Sequence, residues 1–254
     1  MLRGPFQARA LSAVTPRGSL IVKMHANDFV DAIARGVSDV AVLDPLLASG
    51  EAAIPVSLSK AHLGTLLYIE LTPEYAQASI ELIRELGSGE IVTFGYNDDP
   101  ATFGDLLRRQ SRASRGQLLI GALKRNIAKM STEVRRGIAQ LGEQGHRIDS
   151  AERLAALCGV TRGTLFRNFR TAGIVSASGL VTGLTFLRNY DLLIDHNFTM
   201  RDVARAVGLS SERALREGLS RLANISLNEL RAPMSIEEFN RRIADTLTTP
   251  RRRA

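Results

Sequence analysis

The chain of 254 residues has one cysteine, no tryptophan and only 5% aromatic residues. One thiol, Cys158, cannot build a disulfide framework or a cysteine-based zinc site, which fits a reducing compartment. So few aromatics argue against a stacking platform for single-stranded bases. Pro at 8 and Gly at 21 exclude collagen-like or proline-rich material. No apolar run reaches the roughly 18 residues of a spanning helix. Met1–Arg17 is basic but has no continuous apolar stretch, so it does not read as a signal peptide. A soluble, cytoplasmic protein without a membrane partner is expected. His25, His62, His146 and His196 are scattered, with no metal-ligand spacing. No Walker loop, GxGxxG fingerprint or GxSxG elbow occurs. Neither a cofactor nor an enzymatic activity is expected.

What the chain does have is an uneven distribution of charge. Residues 1–106 hold 7 Lys and Arg against 13 Asp and Glu, whereas residues 107–254 hold 26 against 13. A mildly acidic module thus adjoins a strongly basic one. Such asymmetry points to a polyanionic partner for the second half, with nucleic acid ahead of an anionic membrane surface.

In the first module, short apolar runs alternate with helical spacing. Ser19–Val22, Asp39–Leu43, Thr65–Leu71 and Glu90–Phe94 have the length and β-branched content of buried strands. Asp28–Ala34, Pro73–Leu86 and Pro100–Arg109 have helical periodicity. In the second of these, Tyr75, Ile80, Leu82, Ile83 and Leu86 suit a buried face. Asp99 can cap the third, and Pro100 suits its first position. The alternation predicts an α/β layer with a mostly parallel sheet. Arg108, Arg109, Arg112 and Arg115, interleaved with Ser111 and Ser114, suggest a hinge. The expected division is 1–110 for the α/β domain, 111–131 for a basic linker or helix, 132–236 for an all-α domain, and 237–254 for a last helix and basic tail. The tail's arginines either brush phosphate or fray with the chain end.

Within the all-α part, Asp149–Arg170 reads as helix, tight turn, helix. Asp149 or Ser150 opens the first helix, and Leu154, Ala155 and Leu157 form its apolar face. Gly159 supplies a positive φ for the reversal. Thr161 caps the second helix, in which Leu165 and Phe169 face inward. The plan recurs 49 residues later in Thr199–Ala223. There Val203, Ala204 and Val207 pack, Gly208-Leu209 turns and Ser210 caps. Leu215 and Leu219 repeat the apolar spacing. Between the two units, Ser176–Leu193 suits one long amphipathic helix with Leu180, Leu184, Leu187 and Leu192 on its apolar face. About 18 residues span roughly 27 Å, near the ~34 Å between successive major-groove segments on one face of B-DNA. Gly179 and Gly183 either weaken this helix or permit close packing.

At LAALCGVTRGTLFRNFR and VARAVGLSSERALREGLSRLANISLNELR the sequence resembles the AraC/XylS family of bacterial transcription regulators, over roughly Glu133–Pro233. It departs from the family at Leu209, Leu219, Asn224, Leu227 and Leu230, which are mostly core exchanges. The resemblance implies a pair of helix-turn-helix motifs that insert Thr161–Ala172 and Ser211–Ala223 into adjacent major grooves of double-stranded DNA. It implies base reading by Arg162, Gly163, Phe166 and Arg167, and by Arg213, Ala214 and Glu217. Arg167 suits guanine O6 and N7. Phe166 suits a thymine methyl or burial, and Glu217 a cytosine amine or an ion pair with Arg213 or Arg221. Arg153, Thr161, Thr164, Arg170, Arg201, Ser210, Ser211 and Arg216 are phosphate candidates, fixing register rather than sequence. RNA polymerase is a further partner for a regulator of this kind.

Residues 19–110 resemble a truncated, degenerate receiver domain with a flavodoxin-like fold. Asp44 ends its strand where that family keeps the phospho-acceptor, and Thr72 follows the next strand. The acidic pair that would hold magnesium is missing, and Gly95-Tyr96 stands where a lysine belongs, so a phosphoryl group at Asp44 would lack its stabilisers. Asp44 is then a strand-end cap or, in the alternative, the switch of a phosphorylation-gated regulator. Homodimerisation or contact with a partner is the role this module suggests. Nonspecific, architectural nucleic-acid binding is the other alternative.

Overall fold

The computed structural model describes residues 2, 4–14, 21–23, 25–35, 38, 40–61, 63–86, 90–144, 148–232 and 234–248. It is mostly helical with one small parallel sheet, and it divides into two compact units, Met1–Ser114 and Arg115–Ala254.

The first unit runs α1 (Gly4–Val14), α2 (Ala26–Ala34), β1 (Val40–Leu43), α3 (Pro45–Ala48), α4 (Ala53–Ala61), β2 (Gly64–Ile69), α5 (Pro73–Leu86) and β3 (Glu90–Thr93), then enters α6 (Pro100–Ala122). The three strands lie parallel in the order β1-β2-β3, with Val40 opposite Gly64 and Leu66 opposite Glu90. Every residue of β2 is buried, as a central parallel strand covered on both faces requires. Asp99 caps α6, its Oδ1 accepting from Ala101 N and Thr102 N at 3.1 and 3.0 Å. In α5, Tyr75 and Leu82 are buried, but Ile80 is 53% exposed, and Ala78 and Ser79 take the inner face instead.

Three expectations need correction here. Ile21 and Val22 form no strand and are exposed, while Ser19 and Leu20 lie outside the described residues. Both gain little as a strand, since none of the three paired strands takes them as a neighbour. The segment that packs on the sheet is instead α1, which buries Phe6, Ala10 and Ala13 at helical spacing and stacks Phe6 on Tyr68 with ring centroids 4.3 Å apart. The stretch read as a hinge is helical rather than irregular: Arg108 to Arg115 lie inside α6, Ser114 and Arg115 are buried, and the division between the two units falls between these last two. Arginine and glutamine are good helix formers, and the apolar spacing resumes at Leu119 and Leu123.

The second unit takes the end of α6 and adds α7 (Lys124–Ile127), α8 (Thr132–Gln144), α9 (Ala151–Leu157), α10 (Arg162–Ala172), α11 (Ala177–Arg188), α12 (Tyr190–Ile194), α13 (Met200–Ala206), α14 (Glu212–Ala223), α15 (Leu227–Arg231) and α16 (Ile236–Thr248). One continuous core joins them. The long spacer helix is the third correction. It breaks at Asn189, which leaves the helical region at φ −107° and ψ 23° and whose backbone N–H is shared between Thr185 O and Phe186 O, each at 3.2 Å. Nor is α11 amphipathic: nine of its 12 residues are buried, and it packs against α9, α10, α14 and α16. Gly179 and Gly183 permit that approach, for a Cβ on either would lie 2.9 and 2.8 Å from Leu247 and Ile243 of α16.

Candidate nucleic-acid interface

Two short-helix, turn, longer-helix pairs stand in the second unit. In the first, Ser150 Oγ accepts from Arg153 N and caps α9, and Thr161 Oγ1 accepts from Thr164 N and caps α10, each at 3.2 Å. Asp149, the other candidate cap, instead pairs with Arg153 at 3.1 Å. Gly159 turns at φ 65°, and Gly173 ends α10 in the left-handed region at φ 70°. In the second, a reciprocal capping box between Thr199 and Asp202 opens α13, Gly208 turns at φ 77°, and Asn224 ends α14 at φ 52°. Asn tolerates that region better than other side chains, so it serves where Gly173 serves α10. The cap of α14 is Ser211, not Ser210. This turn is one residue longer than the first, and Ser210 is the additional residue, left exposed.

Burial separates the faces of both long helices. Leu165, Phe169 and Ala172 of α10 are buried, as are Leu215, Leu219 and Leu222 of α14. Beyond these helices' own rows, Leu227 and Leu230 are buried as well, and Leu209 packs against the core from its edge. Helix α10 is pinned further by two asparagines. Asn168 Oδ1 accepts from Ser131 N at 2.7 Å and its Nδ2 donates to Thr164 O, while Asn126 Nδ2 donates to Ala172 O at 2.7 Å.

The expected base readers fall into different states. The Arg167 side chain is exposed and, among the described residues, has neither ion pair nor hydrogen bond. Arg162 is engaged twice: Nη1 lies 2.8 Å from Glu152 Oε1 on α9, and its guanidinium carbon sits 5.1 Å from the centre of the Phe166 ring. Phe166 is 39% exposed, so it is neither buried nor free of its own protein. Gly163 has open space where a side chain would stand, with only Thr161 Oγ1 at 3.9 Å. On α14, Arg213 Nε donates to Glu217 Oε1 at 2.7 Å, which raises the affinity of that guanidinium for its proton. Ala214 is half-buried. Glu152 escaped the sequence reading because it lies on another helix, and only the packing of α9 on α10 brings it to Arg162.

Among the phosphate candidates, Arg170, Arg201, Ser210 and Ser211 are exposed, and Thr164 is half-buried beside Thr161 with the two hydroxyls 3.0 Å apart. Arg153 and Arg216 are exposed but paired, with Asp149 and, at 3.7 Å, with Glu212. The tail beyond Thr248 lies outside the described residues. Residues 115–254 carry 23 Lys and Arg against 13 Asp and Glu. Helix α10 itself has three arginines and no acid, whereas α14 sets two glutamates against its three.

In the first unit Asp44 is fully buried. Its Oδ1 accepts from Leu46 N at 3.0 Å and caps α3, and its Oδ2 accepts from the Tyr75 hydroxyl at 3.2 Å. After β3, Gly95 N donates to the buried Asp98, which also takes the Tyr68 hydroxyl at 2.6 Å. Cys158 is buried under α8, and burial pushes its thiol up to about 11. Among the described residues no group of His, Cys, Asp and Glu is placed to hold a metal ion, and no helix is long and apolar enough to cross a membrane. His62 and His146 lie outside the described residues. No family model, curated protein or solved structure matches the chain.

Proposed function

We propose that residues 115–254 bind double-stranded DNA sequence-specifically, as an AraC-type transcription regulator does, with α10 and α14 as the groove-entering helices. The observation that carries this reading is the repeated construction of those helices. Each follows a glycine turn, is N-capped by a hydroxyl, buries an apolar row (Leu165, Phe169 and Ala172 in α10, Leu215, Leu219 and Leu222 in α14) against one shared core and leaves arginines in solvent. Helix α11 packs against both, which gives the pair a common support. In this scheme Arg167 forms the bidentate contact to guanine, and Arg170, Arg201 and the capped helix starts hold phosphate. RNA polymerase is then a partner of the bound regulator, and the first unit serves to join copies of the chain.

A regulator phosphorylated at Asp44 has less support, because a fully buried carboxylate that caps α3 and takes the Tyr75 hydroxyl gives a phosphoryl donor no open face. Architectural binding is separated from regulation by experiment. Selection of sites by the full chain from a random duplex library should enrich one motif, preferred by about 10³-fold or more over bulk DNA at fixed salt. Enrichment of none, with uniform affinity for all duplexes, would make the protein architectural. No duplex affinity at all would reject nucleic acid as the ligand.

A further inference from the structure

Among the described residues of the second unit, Phe166 and Val175 are the large hydrophobic side chains left exposed. Phe166 stands one turn after Arg162 and next to Arg167, on a helix whose charged residues are all arginines. The ring is not loose. Arg162 lies over it at 5.1 Å, and Glu152, from α9, holds that guanidinium at 2.8 Å. Both charged partners are more than half exposed, so the pair adds little to stability. What it fixes is geometry: a carboxylate holds a cation, and the cation steadies a ring. With its guanidinium so engaged, Arg162 is poorly placed to read a base, and the remaining ring surface is the apolar element of this helix face.

We infer that Phe166 reads the 5-methyl group of a pyrimidine beside the guanine taken by Arg167, and that Glu152 acts through Arg162 as its positioning residue. The inference rests on the DNA-binding reading above. Within the major groove the pyrimidine methyl is the apolar group on offer, and the surrounding arginines select the polyanion that carries it. Thymine and 5-methylcytosine present the same methyl.

The test uses the full chain and the site it selects from a random library. Replacing each thymine by uracil, one at a time, removes only a methyl. One such replacement, adjacent to an essential guanine, should weaken binding about fourfold, the factor that burial of one methyl is worth. The same factor should separate 5-methylcytosine from cytosine at that position. An effect of uracil alone assigns the contact to thymine, and an effect of cytosine methylation alone assigns it to 5-methylcytosine. Phe166→Ala should bring the ratio to one while the guanine preference stays. Glu152→Gln should narrow the ratio at unchanged melting temperature. A selected site indifferent to every methyl, or a ratio that survives Phe166→Ala, would overturn the inference alone. An unchanged ratio in Glu152→Gln would overturn the role of Glu152. Failure to select any site would overturn the DNA-binding reading itself and this inference with it.

Discussion

Glu217 holds the place on α14 that Arg167 holds on α10, two residues after a buried leucine, and its Oε1 accepts from Arg213 Nε at 2.7 Å. One helix therefore presents an unpaired cation where the other presents a neutralised pair. The two helices share a plan but not an electrostatic character.

Removing the acid should expose that difference. Glu217→Gln releases Arg213 and deletes one negative charge, so affinity for random duplex should rise. If the freed arginine takes one phosphate, the slope of log affinity against log salt should steepen by about 0.9. Fluorescence anisotropy at several salt concentrations measures it, and an unchanged slope would mean that Arg213 does not reach phosphate.

Two helical glycines should respond oppositely to alanine. Gly163 has open space, so Gly163→Ala should stabilise the chain by up to about 1 kcal/mol through helix propensity. At Gly137 of α8, a Cβ would overlap Cys158 Sγ and stand 2.9 Å from the Cys158 backbone. Gly137→Ala should cost about 1–3 kcal/mol, as overpacking does. Urea denaturation of both variants checks the pair.

Much of this was legible in the sequence, and the exceptions have physical causes. The strands at 40, 65 and 90 and the helix Pro73–Leu86 announce themselves by apolar runs and periodicity, as do both turn glycines. Helix α1 does not announce itself, although Phe6, Ala10 and Ala13 carry the right spacing, because half of its six apolar residues are alanines. Arg108–Arg115 read as a hinge because arginines and serines hide a helix that continues on both sides. Ser210 and Ser211 are equivalent as caps in the sequence, because nothing there tells which of two adjacent serines the longer turn leaves outside. The ion pairs of Arg162 and Arg213 differ in kind. The second was foreseen as one reading of Glu217, being local, whereas the first spans two helices and depends on how they cross.

Asp44 should behave as a structural carboxylate. Acetyl phosphate with magnesium should leave the chain unlabelled, and Asp44→Ala should cost about 0.5–2 kcal/mol by removing the α3 cap. A label that appears on the natural chain and vanishes in Asp44→Asn would establish phosphorylation instead.

The Cys158 thiol should resist alkylation at pH 8 until the second unit unfolds. Its value in the fold, about 11, lies above the ordinary 9.0. The unfolded chain therefore ionises first. The stability this group contributes is complete below pH 9 and is lost as pH rises toward 11. Thiol titration in native and denaturing conditions tests both statements, and fast native alkylation would contradict them.

Sequence-specific binding as proposed depends above all on Arg167. Competition binding of the full chain and of Arg167→Ala, on the selected site and on random duplex at equal salt, measures what this side chain does. A guanine-reading arginine predicts a loss of about 1–3 kcal/mol on the selected site, with a much smaller loss on random DNA. Equal losses on both would contradict it, and would make Arg167 one more phosphate contact on a surface that does not read sequence.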